Sequence, residues 1–396
     1  MTPRPGLMPA FFCRDEEDAT ALFSHLRPAA TATCYWLPKS NEVVLRTSHW
    51  RIDGVGMVKL GHEFLTGVVD VVKLGPELAL DVYMRRPPVD PPIGPTLEAL
   101  ARRNEPDYTR SEDPVLAAAA DALVSEFIRG VPSIGLPTRT GSHSSPPGNS
   151  LRVAVTLGVA TTAKITATCR ERKLKVTSVV HAALVRATAK YPQHPLSKSY
   201  AAFVPMDLRR SLTSTVGPES RNDSRVTGLY FSGLPVCIED VLGTNRKTPK
   251  DFETISHDLD VTYSKDLMNF WKSDDGRTVS LLDVAESFLR RTTALLTAPL
   301  PEGLPPVQTP DLSSLGKMDA VMQNSYEVGD GTGIEVENCW LGTEMQNRCV
   351  QFHVWSWKGE MTLAACFNDS FYEKPFVIEV LGEVIKELLA GCGIGY

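Results

Sequence analysis

Eight residues of this chain, Ser48-His49-Trp50-Arg51-Ile52-Asp53-Gly54-Val55, carry the spacing His-x-x-x-Asp-Gly. An imidazole titrates near neutrality, so His49 can take a proton from a hydroxyl or amine and hand it on. Asp53, four residues later, is better placed to hold the turn than to share that proton. Gly54 removes a side chain where the backbone is expected to bend sharply. The other histidines carry weaker signals. His181 lies mid-helix among alanines and valines, His353 lies within a strand, and His194 and His257 lie in polar loops; each reads as structural or superficial. No Gly-x-Ser-x-Gly elbow is present, which disfavours a covalent acyl-enzyme hydrolase, and no glycine-rich phosphate loop is present either.

A base needs a rigid mount, and the flanks of the motif supply one. Glu42 to Thr47 is rich in β-branched and apolar residues, as a strand should be. After the motif, Met57, Leu60, Phe64, Leu65, Val68 and Val69 recur as on one face of a helix. His49 therefore sits at a strand–loop–helix junction, where a side chain can be exposed on a fixed frame.

Further along, Ala117–Phe127 reads as a short helix. The run Arg85-Arg-Pro-Pro-Val-Asp-Pro-Pro-Ile-Gly-Pro before it cannot hold regular helix. The turn-rich stretch from Pro132 to Ser150 is the clearest linker and divides the chain into 1–150 and 151–396. In the second part, Val176–Tyr191 reads as a helix stopped by Pro192, with strands at 200–205 and 226–231 and then a polar stretch to about 275. Arg348–Trp355 and Met361–Phe367 read as a hairpin turning at Lys358-Gly359. A last helix covers about Lys374–Ala390, with Pro375 in its first turn and an apolar face of Phe376, Val377, Val380, Leu381, Val384, Ile385, Leu388 and Leu389. The mixture is α/β, without an internal repeat.

Three stretches in order resemble the chloramphenicol-acetyltransferase-like superfamily, which includes BAHD acyltransferases, condensation domains of peptide synthetases and fungal trichothecene-type acetyltransferases. They are the His49 motif; Tyr200-Ala-Ala-Phe-Val-Pro-Met-Asp207-Leu208-Arg209-Arg210, like the family's Pro-x-Asp-x-Arg strand; and Pro310-Asp311-Leu312-Ser313-Ser314-Leu315-Gly316, like its late Ser-Asn-x-Gly or Asp-Phe-Gly-Trp-Gly segment. The resemblance implies two similar domains with a channel between them, here with a reduced first domain, since only 48 residues precede His49. It also implies that His49 is the general base of an acyl transfer from a thioester, either acyl-CoA or an acyl-carrier protein, to a natural-product hydroxyl or amine. No bound cofactor is implied. By the same resemblance Asp53 pairs with Arg209 and turns away from substrate; Arg210 is a rival, but only Arg209 has the motif spacing. Ser314, next to Ser313, stands where relatives place an oxyanion donor, and a serine hydroxyl can donate. It can equally be a turn residue. Ser48 replaces the first histidine of the double-histidine form, which tilts the reading towards a stand-alone transferase.

Composition agrees with a globular chain: 396 residues, 42% hydrophobic, 22% charged and a formal net charge of −6. With no long basic run, nucleic acid is not the expected partner. No apolar stretch approaches membrane-spanning length, and the N-terminus lacks the apolar core of a secretory signal. A cytoplasmic monomer is the expectation. The eight cysteines have no Cys-x-x-Cys pair, so neither zinc nor a disulfide framework is expected. Two rival readings stay open: a cyclase or isomerase using His49 without an acyl donor, and a scaffold that binds without turnover.

Overall fold

Alternation along one strand shows how the core is divided. In β12 (Gln351–Trp357), Phe352 and Val354 enter one hydrophobic cluster while Trp355 and Trp357 enter another. Successive side chains of a strand point to opposite faces, so this sheet is covered on both sides. The computed structural model describes residues 11–29, 31–85, 112–142, 145–209, 227–243, 249–329 and 331–395.

The sheet has the order β4 (Ser150–Leu157), β13 (Glu360–Asn368), β12, β9 (Asp311–Lys317). β13 runs antiparallel to both neighbours, and β9 runs parallel to β12. The hairpin between β12 and β13 turns at Lys358 (φ 48) and Gly359 (φ 81), as its sequence predicts. One face packs on three helices, α5 (Val159–Glu171), α6 (Val176–Ala189) and α9 (Lys374–Gly391). The predicted apolar stripe of α9 is buried there from Val377 to Leu389.

The opposite face receives the N-terminal elements. β1 (Phe11–Cys13) pairs in parallel with β2 (Thr33–Leu37), which pairs antiparallel with β3 (Glu42–Arg46), with α1 (Ala19–His25) between the first two. α2 (Gly54–Leu74) follows and lays Val58 and Val69 against Met318, Met322, Tyr326, Trp355 and Trp357. A hydrogen bond between His62 Nδ1 and the Tyr326 hydroxyl (2.8 Å) ties α2 to the hairpin of β10 (Ser325–Gly329) and β11 (Thr332–Glu335).

A second layer is built on the antiparallel pair β5 (Tyr200–Asp207) and β6 (Phe231–Ile238). α4 (Pro114–Arg129), α6, α7 (Phe252–Tyr263) and α8 (Leu281–Thr297) share its core. Here the sequence reading needs correction. The strand expected at 226–231 begins only at Phe231 and runs on through Pro235. Among the described residues β6 pairs with β5 alone, an edge position in which proline is tolerated. The polar stretch to about 275 contains α7. The short helix α3 (Pro76–Arg85) runs into the proline-rich segment, which, like Arg210, lies outside the described residues.

The Pro132–Ser150 stretch, expected to be a linker, is packed. Ile134 and Leu136 are fully buried, with their N–H groups donating to Ser199 (2.8 Å) and Gln308 (3.1 Å). The segment straps the start of β5 to the start of β9. Among the described residues no helix is long and apolar enough to cross a membrane, and no cluster of metal-ligand side chains occurs.

Candidate active site

Asp53 is the hinge of the site. It is the N-cap of α2, where a carboxylate accepts from the otherwise unpaired N–H groups of the first turn. Oδ1 accepts from the Gly56 N–H (2.8 Å) and from Arg209 Nη2 (2.9 Å), and Oδ2 accepts from the Tyr230 N–H (2.7 Å). The Asp53 N–H in turn donates to the Gly228 carbonyl at 3.1 Å. The carboxylate is therefore committed to holding three segments together, and the expectation that it fixes the turn agrees with this geometry.

Arg209, just after β5, completes the lock. Its fork reaches Asp53, Asp207 Oδ1 (2.9 Å) and the Gly228 carbonyl (3.2 Å), and its guanidinium lies 5.2 Å from the centre of the Tyr230 ring. Both Asp53 and Arg209 are buried, so the pair is worth keeping only because every polar atom near it finds a partner.

Two glycines make room for this lock, for different reasons. Gly54 has no positive φ; a Cβ there would meet Leu315 Cδ2 of β9 at 2.6 Å. Close approach of β9, rather than the sharp bend expected from sequence, is what it serves. Gly56, not singled out by the sequence reading, is tighter: a Cβ would lie 3.0 Å from the Gly228 carbonyl and 3.2 Å from Arg209 Nη2.

His49 stands on the turn that this lock holds. The Arg51 N–H donates to the Ser48 carbonyl (3.0 Å), and the Ser48 hydroxyl donates to the Ala29 carbonyl (2.7 Å). The His49 side chain is exposed, with its ring 5.5 Å from that of Phe231. Phe231 opens β6 immediately after Tyr230, so the residue that grips Asp53 also sets the aromatic neighbour of the base.

Ser314 is brought to Thr177 in the first turn of α6, with the two hydroxyls 2.8 Å apart. By register it shares the face of Leu312 and Val354, whereas Ser313 pairs with His353. A bulge at Leu315 then re-aims the end of β9 towards Gly54.

The sequence reading took His353 as structural and did not mention Arg152. His353 is buried in β12, with Nε2 3.2 Å from the Thr343 hydroxyl and Nδ1 without a partner. Burial, with the charges of Arg152 and His49 adding to it, pushes its pKa down to about 3, so it is neutral. Arg152 of β4 stacks 4.4 Å from the Trp340 ring centre and 5.6 Å from that of Trp355. The alternation of β12 was the available signal: His353 shares a strand face with Trp355 and Trp357. His181, by contrast, is structural as expected. It is fully buried between the hydroxyls of Tyr200 (2.7 Å) and Tyr263 (3.0 Å).

No family model matches the chain. Among solved structures, TRI3 trichothecene 15-O-acetyltransferase from Fusarium sporotrichioides aligns with a TM-score of 0.68 at 14% identity, over 96% of this chain and 77% of that one. This chain shares the fold of that acetyltransferase. Sequence relatives span it as fully. Loline biosynthesis cluster 1 transcription factor lolU1 of Epichloe uncinata is 28% identical over 96% of the chain and 74% of its own length. O-acetyltransferase pigM of Monascus ruber is 24% identical over 96% of the chain and 66% of its own length. The His49 motif, the Pro-x-Asp-x-Arg strand and the late serine segment thus sit on a fold like that of TRI3.

Proposed function

We propose that this protein transfers an acyl group from a thioester to a hydroxyl of a natural product, with His49 as general base. The observation that carries the reading is an exposed imidazole on a turn whose anchoring carboxylate is fully occupied elsewhere. A base held in place while its ring stays open to solvent can meet a substrate hydroxyl. A positioned base contributes about 10²–10⁴-fold.

The step balances as follows. Imidazole takes the hydroxyl proton as the oxygen attacks the thioester carbonyl and a C–O bond forms. The tetrahedral oxyanion collapses, the C–S bond breaks, and the departing thiolate takes the proton from the imidazolium. Ser314 is the proposed donor to that oxyanion. With Thr177 donating to its oxygen, the Ser314 O–H is left free to point at substrate. The donor is proposed to be acyl-CoA or an acyl-carrier thioester.

Support comes from the fold shared with TRI3 and from relatives named acetyltransferases. The relative named a transcription factor does not redirect the reading, because a net charge of −6 gives no electrostatic footprint for DNA.

The test is thiol release. A panel of short acyl-CoAs and loaded carrier proteins, offered with hydroxylated polyketide and terpenoid acceptors, should yield free thiol and an esterified product. His49→Ala should lower the rate at least about 10²-fold with an unchanged melting temperature. Full turnover in a folded His49→Ala protein would overturn the assignment of the base, and donor-free conversion of an acceptor would replace transfer by cyclisation or isomerisation.

A further inference from the structure

We propose that Arg152, flanked by Trp340 and Trp355 on the sheet face that carries His353, binds an acidic oxygen of the substrate, a carboxylate or an acidic enol. The inference rests on the acyl-transfer reading for its choice of ligand, and on independent geometry for the site.

Arg152 is a half-buried cation between two indole rings, and no carboxylate lies within ion-pair distance among the described residues. The acids that could serve are otherwise engaged. Glu344, on the loop that carries Trp340, is held by Arg46 at 2.7 Å. Cys366, opposite Arg152 in the sheet, is a neutral thiol because burial pushes its pKa up to about 11. A largely desolvated guanidinium without a counter-charge is costly. Such a residue persists where a ligand supplies the missing charge.

The neighbours point to the same chemistry. Nε of Arg152, Nδ1 of His353 and Nε1 of Trp355 are all buried without a hydrogen-bond partner. Indole and guanidinium can only donate. Two unmet donors on the face that also carries the unpartnered Nδ1 of His353 call for an oxygen acceptor, and the arginine makes an anionic one the better match. The proposed ligand is a small molecule whose acidic group meets these donors and the arginine. The half-exposed Trp340 is the side of the cluster through which it would enter.

The experiment measures binding without an acyl donor, so its outcome is separate from that of the thiol-release test. Salicylate and its neutral analogue 2-hydroxybenzyl alcohol are titrated into the full chain, followed by tryptophan fluorescence and calorimetry. Salicylate should bind at least about tenfold more tightly than the alcohol. That preference should vanish in Arg152→Met, which keeps the apolar stem, and should survive in His49→Ala. Trp355→Phe, which removes one donor and keeps an aromatic ring, should weaken salicylate several-fold and serves if Arg152→Met fails to fold. Equal binding of the two probes, no binding of salicylate, or a preference that outlives both variants would overturn the site. Preserved salicylate binding in a protein that releases no thiol would leave the anion site standing and remove acyl transfer.

Discussion

Two polar clusters differ in whether their hydrogen bonds are met. Around Asp53, both carboxylate oxygens, the Arg209 fork and the backbone of Gly56, Gly228 and Tyr230 are mutually paired. Around Arg152, three buried polar atoms have no partner. A satisfied buried network rigidifies, whereas an unsatisfied one destabilises until something is added. The first cluster therefore behaves as scaffold and the second as a place for substrate, although both contain an arginine.

The strongest way to break this contrast is to cut the scaffold. Arg209→Ala leaves the buried Asp53 carboxylate without its counter-charge, which typically costs about 3–5 kcal/mol, whereas Asp53→Ala leaves Arg209 its contact with Asp207 and should cost less. The double variant should lose clearly less than the sum of the two, since the residues share one contact. Denaturant unfolding of the four proteins gives the coupling directly. Additive losses would mean that the lock does not act as a unit.

The second cluster and its neighbour on β9 should betray themselves through pH. Burial raises the Asp311 carboxyl from 3.8 to about 7, and its Oδ1 has no partner. Between about pH 4 and 7 the unfolded chain loses this proton while the folded one keeps it, so stability falls as pH rises through that window. His353, lowered from 6.5 to about 3, acts in the opposite sense: the unfolded chain gains a proton first, and stability is lost as pH falls from 6.5 towards 3. Asp311→Asn should thus gain about 4 kcal/mol at pH 8 relative to its effect at pH 4. His353→Gln should flatten the acid limb instead. Denaturation curves at pH 4, 6 and 8 separate the two, and an Asp311→Asn effect independent of pH would show that the carboxyl is not held protonated.

The same contrast explains what the sequence disclosed. Local signals carried the scaffold. The cap at Asp53 followed by a periodic apolar face marks α2, the Lys358-Gly359 turn marks the β12–β13 hairpin, and the stripe from Phe376 to Leu389 marks α9. Residues whose role depends on tertiary placement stayed hidden. β4 escaped notice because Arg152 interrupts the apolar pattern of Ser150–Leu157, and that arginine is the feature that matters. Gly56 gives no sequence signal of its crowding, because the Gly228 carbonyl that meets it lies far away in the chain. Pro235 and Gly233 read as strand breakers, yet β6 accommodates both by pairing, among the described residues, with β5 alone. His353 looked like any histidine in a strand; its meaning comes from Arg152 and His49, which are brought together only by folding.

The finest comparison lies within β9, where adjacent serines sample the two situations. Ser314 has a hydroxyl partner in Thr177, and Ser313 stands opposite His353 with its unpartnered Nδ1. If Ser314 donates to the oxyanion, Ser314→Ala should lower kcat about tenfold, roughly 1.4 kcal/mol, with little change in KM, because the contact is made only in the transition state. Thr177→Val should reproduce a smaller part of that loss by removing the group that orients the serine. Ser313→Ala, by contrast, should act on acceptor KM if the His353 face receives the acceptor. Steady-state kinetics of the three variants decides between them. A drop in kcat confined to Ser313→Ala would move the oxyanion donor one residue back along the strand and place it with the unsatisfied cluster.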